Sequence, residues 1–109
     1  MRGIVSREID GKVRHFHFGT QMFIDLEEKG LSLSKFQSRM QEKMFSTTAD
    51  ILYHAAVSYC KINKRDVDFE REDVSVWIDE MGISDSVQMI TDGLSGLQKN
   101  VKALETDQG

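Results

Sequence analysis

Ile4-Val5-Ser6-Arg7-Glu8-Ile9-Asp10-Gly11-Lys12-Val13-Arg14-His15-Phe16-His17-Phe18 is the stretch from which the fold is read. Asp10-Gly11 lies at its centre, and both middle positions of the favoured two-residue hairpin turn need positive φ. The spacing predicts a β-hairpin over 4–18, with strands Ile4 to Ile9 and Lys12 to Phe18. Folding the strands about the turn sets Val5 opposite Phe16, with Phe18 beside them. Val13, His15 and His17 fall on the other face. A lone two-stranded hairpin is marginal in water, so its aromatic face must pack on something. The rest of the chain has to supply the cover.

After Phe18 the apolar period changes from two to helical, which predicts about five helices over 20–104. Thr20 is the expected N-cap of the first helix, with Met22, Phe23 and Leu26 inward and Gly30 just past its end. Ser34-Lys35-Phe36-Gln37 fits a capping box for a second, striped by Phe36, Met40 and Met44 with Leu33 near its start. Thr47-Thr48-Ala49-Asp50 opens a third, with Leu52, Ala55, Ala56, Tyr59 and Cys60 buried. Asp68 is the expected cap of a fourth, whose stripe is Val74, Trp77, Ile78 and Met81 before Gly82. Ser84 is the expected cap of the last, and 105–109 the expected frayed tail. The class is α+β, mostly helical, in a single domain over 1–109.

Composition narrows the function classes. The 109 residues hold 14 Lys and Arg against 18 Asp and Glu, a formal charge of −4. That balance argues against a nucleic-acid partner, which needs a basic face. No apolar run approaches the roughly 18 residues of a membrane span, so no membrane partner is expected. Met1 to Ile9 lacks the apolar core of a signal peptide. Cys60 is the only cysteine, which excludes an intrachain disulfide and a cysteine-cluster zinc site. Proline is absent, where average usage predicts about five.

The search for chemistry is sparse. No glycine-rich phosphate loop, nucleophile elbow or His-Glu-x-x-His occurs. His15 and His17 could place two imidazoles on one metal, but no third ligand is recognisable; a solvated strand face accounts for them. His54 reads as a surface or boundary histidine and Cys60 as a small core residue. The pairs Glu27-Glu28 and Asp79-Glu80 diverge by about 100° on a helix and do not converge for acid–base work. Lys61, Lys64 and Arg65, followed by Asp66, Asp68, Glu70, Glu72 and Asp73, read as a locally salt-bridged loop. No catalytic residue, cofactor or metal is expected.

Three segments together resemble the phage tail assembly chaperone family. His17-Phe18-Gly19-Thr20-Gln21-Met22-Phe23-Ile24-Asp25-Leu26-Glu27-Glu28 is similar to the strand-Gly-helix opening of those proteins. Ile51-Leu52-Tyr53-His54-Ala55-Ala56-Val57 resembles their small-residue middle helix, and Val74-Ser75-Val76-Trp77-Ile78-Asp79-Glu80-Met81 the next helix with its acidic pair. The resemblance implies a non-enzymatic protein of a phage-infected or lysogenic bacterium. It would act in the host cytoplasm, coating the tape measure protein of a siphophage-like tail, recruiting tail tube subunits and staying out of the mature virion. The alternative is another small helical interaction or regulatory protein of a phage or mobile element.

In the last helix Val87, Ile90, Leu94, Leu97, Val101 and Leu104 alternate by three and four, the spacing of a heptad seam. Gly93 and Gly96 weaken that helix by about 1 kcal/mol each relative to alanine. The expectation is that Leu94, Leu97, Val101 and Leu104 join a partner or self-association interface.

Overall fold

Asp10 (φ 53°) and Gly11 (φ 78°) both take the positive φ that the two-residue turn requires. Strands β1 (Ile4–Ile9) and β2 (Lys12–His17) pair antiparallel on either side of it, with Val5 opposite Phe16 and Ile9 opposite Lys12. Phe18 lies just beyond β2, and its amide donates to the Gly3 carbonyl at 2.7 Å, which prolongs the pairing. The computed structural model describes residues 3–108, with side chains placed for 3–95.

Five helices follow: α1 (Thr20–Glu28), α2 (Phe36–Glu42), α3 (Met44–Ile62), α4 (Arg71–Met81) and α5 (Ile83–Gln108). A short 3-10 turn, Leu33–Lys35, leads into α2. The elements stand in the predicted order, but several ends differ, each for a physical reason. Gly19, in extended backbone, is the N-cap of α1, and Thr20 is already its first helical residue. The capping box at Ser34 does not form, because Ser34 sits inside the 3-10 turn with its hydroxyl 3.1 Å from that of Ser32. Lys43 leaves helical backbone (φ −140°, ψ 64°) and ends α2. Met44 therefore opens α3 instead of closing the α2 stripe, and it stays exposed, as does Leu33.

The two threonines expected to start α3 lie within its first turns and serve the preceding helix. Thr47 Oγ1 donates to the Arg39 carbonyl at 3.2 Å, and Thr48 Oγ1 reaches Met40 Sδ at 3.6 Å. Glu70, not Asp68, is the N-cap of α4; its amide donates to the Asp73 carboxylate at 2.8 Å. Asp68 has turned to the hairpin, where it pairs with Lys12 and Arg14. Ser84 lies inside α5, and Ser86 Oγ donates to the Gly82 carbonyl at 2.8 Å.

α3 is the spine. It packs against β2 and every other helix, and Ala49, Ala55, Ala56 and Ser58 keep its surface small enough for them to approach. Phe16, Met22, Leu26, Ile51, Leu52, Val74 and Met89 are fully buried around it. Each such side chain stabilises the fold by about 1.5–3 kcal/mol relative to exposure. Trp77, read as core from its stripe, meets Phe16 edge-on at 5.9 Å between ring centroids. No helix among the described residues is long and apolar enough to cross a membrane.

α5 corrects one part of the heptad reading. Its inner face is Ser86, Met89, Ile90 and Gly93, while Val87 and Leu94 are half-buried on the flanks. The cause is Phe18, whose ring lies directly on Gly93. A Cβ built there would stand 2.2 Å from ring carbon Cδ2 and 2.4 Å from Cγ. Gly93, which weakens the helix in isolation, is what lets helix and ring meet. The side chains of Leu97, Val101 and Leu104, and those of the expected frayed tail over 105–109, lie outside the described residues.

Gly93→Ala should therefore destabilise the protein, although alanine is the better helix former. Overpacking of this kind costs about 1–3 kcal/mol, and about 4–8 °C of Tm is lost per kcal/mol in a domain of this size. Calorimetry should show that loss, and Phe18→Leu in the same chain should recover part of it. Unchanged or raised Tm for Gly93→Ala would remove the close approach from the account.

Candidate functional site

A groove of about 590 Å³ opens on the side of α3 away from the hairpin. Its apolar floor is Leu26 and Leu31, both buried, with Val57 and Tyr53 half-buried along α3. Charged residues from four helices and the α1–α2 connection ring this floor. α1 supplies Asp25 and Glu28, the connection Lys29, α2 Arg39, α3 Asp50, His54 and Lys61, and α4 Arg71. Of these the sequence reading weighed Glu28, His54 and Lys61, and it assigned none of them to a site.

Two ion pairs fix the ends of the groove. Lys61 Nζ donates to Asp25 Oδ2 at 2.9 Å, and Gln21 Nε2 donates to the other oxygen at 3.0 Å. Burial alone would push the Asp25 carboxyl up, but the hydrogen bonds from Lys61 and Gln21 and the Lys61 charge outweigh it, leaving the group below the usual carboxylate range. Arg71 Nε donates to Asp50 Oδ1 at 2.9 Å, and its Nη2 to the Ser46 carbonyl at 3.4 Å. His54 lies between the pairs. Burial pushes its pKa down; Asp25 and Asp50 oppose this, while Lys29 and Lys61 add to it.

Arg39 differs from its neighbours. It makes no salt bridge among the described residues, and its Nε is closed off from solvent with no hydrogen-bond partner. The charged residues that the sequence placed in a local salt-bridged loop are dispersed as well. Lys61 reaches back to α1, Asp68 reaches the hairpin, and Arg65 lies 5.6 Å over the Tyr59 ring.

A smaller cleft of about 140 Å³ lies on the opposite side of α3, beside β2. Arg14, on the same strand face as Phe16, stacks 4.7 Å over Trp77 and 5.7 Å from Phe69. Asp68 accepts from its Nη1 at 2.9 Å. Cys60 lines this cleft as a buried residue, and burial, reinforced by Asp68, pushes its thiol pKa up against the pull of Arg65 and Arg14. A raised thiol pKa is the opposite of what a nucleophile needs.

The strand face read as solvated is only half so. His15 stacks on Tyr59 at 4.7 Å and shares a 2.7 Å hydrogen bond with Ser6 Oγ through Nδ1. His17 is half-buried, with its pKa lowered by burial and its Nδ1 closed off without a partner. No group of three or more His, Cys, Asp or Glu among the described residues is placed to hold a metal ion. Of the expected interface residues, Leu94 packs half-buried against the core; Leu97, Val101 and Leu104 lie outside the residues whose side chains are described. Compared with protein families, curated proteins and solved structures, the chain matches none of them.

The two lowered histidines set a pH dependence. The unfolded chain takes up protons near the ordinary value of 6.5, while folded His17 and His54 resist them. Stability is therefore full above that value and declines as pH falls through it. Tm should drop between pH 7.5 and pH 5.5, and His17→Gln with His54→Gln should flatten the slope. An unaltered slope in the double variant would assign the acid sensitivity elsewhere.

Proposed function

We propose that this chain is a non-catalytic binding protein, a phage tail assembly chaperone that keeps the tape measure protein soluble and helps recruit tail tube subunits. It would act in the bacterial host cytoplasm and be left out of the finished virion. The order of elements carries this reading. A strand turns at Gly19 into α1, small-residue α3 forms the middle, and α4 follows with its exposed pair Asp79-Glu80. That is the order on which the resemblance rests.

Surface character supports the same reading. Phe45 and Met44 are both exposed in the first turn of α3, at 63% and 40%. Large apolar side chains left open in one turn suit contact with another protein. The net charge of −4 would add solubility to an aggregation-prone partner. We assign the interface to Leu94, Leu97, Val101 and Leu104, whose heptad spacing suits a helical partner or a second copy of this chain.

Coexpression with the long helical protein encoded beside it should raise that protein's soluble fraction and yield a complex on co-purification. Equal solubility with and without this chain would overturn the chaperone reading. Leu97→Asp with Val101→Asp should abolish partner binding or self-association while circular dichroism stays helical and melting cooperative. Global unfolding of that variant would return the seam to ordinary core.

A further inference from the structure

The groove beside α3 combines an apolar floor with a cation that no described residue answers. Its carboxylates are already engaged or turned outward. Asp25 is held by Lys61 and Gln21, Asp50 is held by Arg71, and Glu28 is exposed at the rim. Lys29 and Arg39 are left without an ion-pair partner among the described residues. Lys29 is solvated at the rim. Arg39 is half-buried, with its Nε sealed from water and unbonded. A buried donor without a partner costs about 1–3 kcal/mol, more when charged, and a guanidinium that carries one gains from an anion placed on its remaining donors.

We propose that this groove is a binding site for a carboxylate carried on an apolar body. The carboxylate is received by the Arg39 guanidinium, and the body lies over Leu26, Leu31 and Val57. A planar guanidinium takes a carboxylate through two parallel N–H donors, a geometry that a lysine cannot reproduce. The volume of about 590 Å³ falls within the roughly 300–1,000 Å³ of small-ligand sites. In a chain of net charge −4, an uncompensated cation in a groove marks where an anion is least opposed. The site stands independently of the tail-assembly reading, since it lies on α1, α2 and α3 and involves none of Leu94, Leu97, Val101 or Leu104.

Two sources share this chemistry: a free amphipathic carboxylate, and a glutamate side chain flanked by leucines on a peptide. The bound anion would sit near His54 and stabilise its imidazolium. Binding should therefore raise the His54 pKa and tighten as pH falls through the histidine range.

The test is an NMR titration of the full chain, read at the Arg39 Nε–H and the His54 ring. The probes are hexanoate, the isosteric hexanamide, and blocked Leu-Glu-Leu and Leu-Gln-Leu peptides. Hexanoate or the glutamate peptide should shift the Arg39 Nε–H and raise the His54 pKa, while hexanamide and the glutamine peptide do neither. A response to hexanoate at least as tight as that to the glutamate peptide identifies a free carboxylate; a tighter response to the peptide identifies an acidic side chain. Arg39→Gln should weaken the tighter probe at least tenfold, and Arg39→Lys should not restore it. The proposal falls if no carboxylate moves the Arg39 Nε–H, or if hexanamide moves it as far as hexanoate does. It falls equally if the folded Arg39→Gln variant, checked by circular dichroism, binds as tightly as the parent.

Discussion

A two-stranded sheet leaves one whole face to be covered by something else, and here that face carries Phe16 and Phe18. Burying it dictates where the helices go. Trp77 of α4 meets Phe16 edge-on, Gly93 of α5 lies flat against Phe18, and α3 runs along β2 beneath both. Arg14, half-buried on that strand face, is accommodated by stacking its guanidinium on Trp77 and Phe69 and giving Asp68 a hydrogen bond. The loop from α3 to α4 is thus drawn onto the hairpin through Asp68, which Arg14 and Lys12 both hold.

α3 divides the molecule into two chemically different halves. Ala56, Tyr59 and Cys60 face the hairpin and its aromatic cluster, whereas Asp50, Tyr53, His54, Val57 and Lys61 face the polar groove. Both sets repeat at helical spacing, so they coexist on one helix, and Tyr53 joins them by meeting Phe69 edge-on at 6.0 Å. Aromatic packing fixes the first side, and ion pairs to α1 and α4 hold the second. Such partly exposed pairs contribute little stability, roughly 0–1 kcal/mol each, so they serve more to position charge than to hold the fold.

The hairpin and its register were legible because turn chemistry and strand alternation are local, and nothing distant competes for Asp10-Gly11. Helix ends were less legible because the polar side chains that could cap them were taken by other partners. Asp68 goes to Arg14 and Lys12, Thr47 to the Arg39 carbonyl, and Ser34 to Ser32. The groove was not legible at all, since residues from four helices and a loop converge there with no common spacing. Gly93 was visible but misjudged. Its cost to the helix is intrinsic and local, while its use depends on a ring about 75 residues earlier in the chain.

That last contact orders events in time as well as in space. The ring of Phe18 finds its seat only on α5, so the hairpin is made long before its cover exists. At about 5–20 residues per second, a ribosome takes roughly 4 to 15 s to travel from Phe18 to Gly93. For that interval a nascent chain can bring α3 and then Trp77 to Phe16, but the Phe18 ring still lacks its seat on α5. Local helices can form meanwhile, but the hairpin's burial is completed only as the C-terminal part emerges. Closing the hairpin on α5 is therefore a later step of synthesis than forming the hairpin itself.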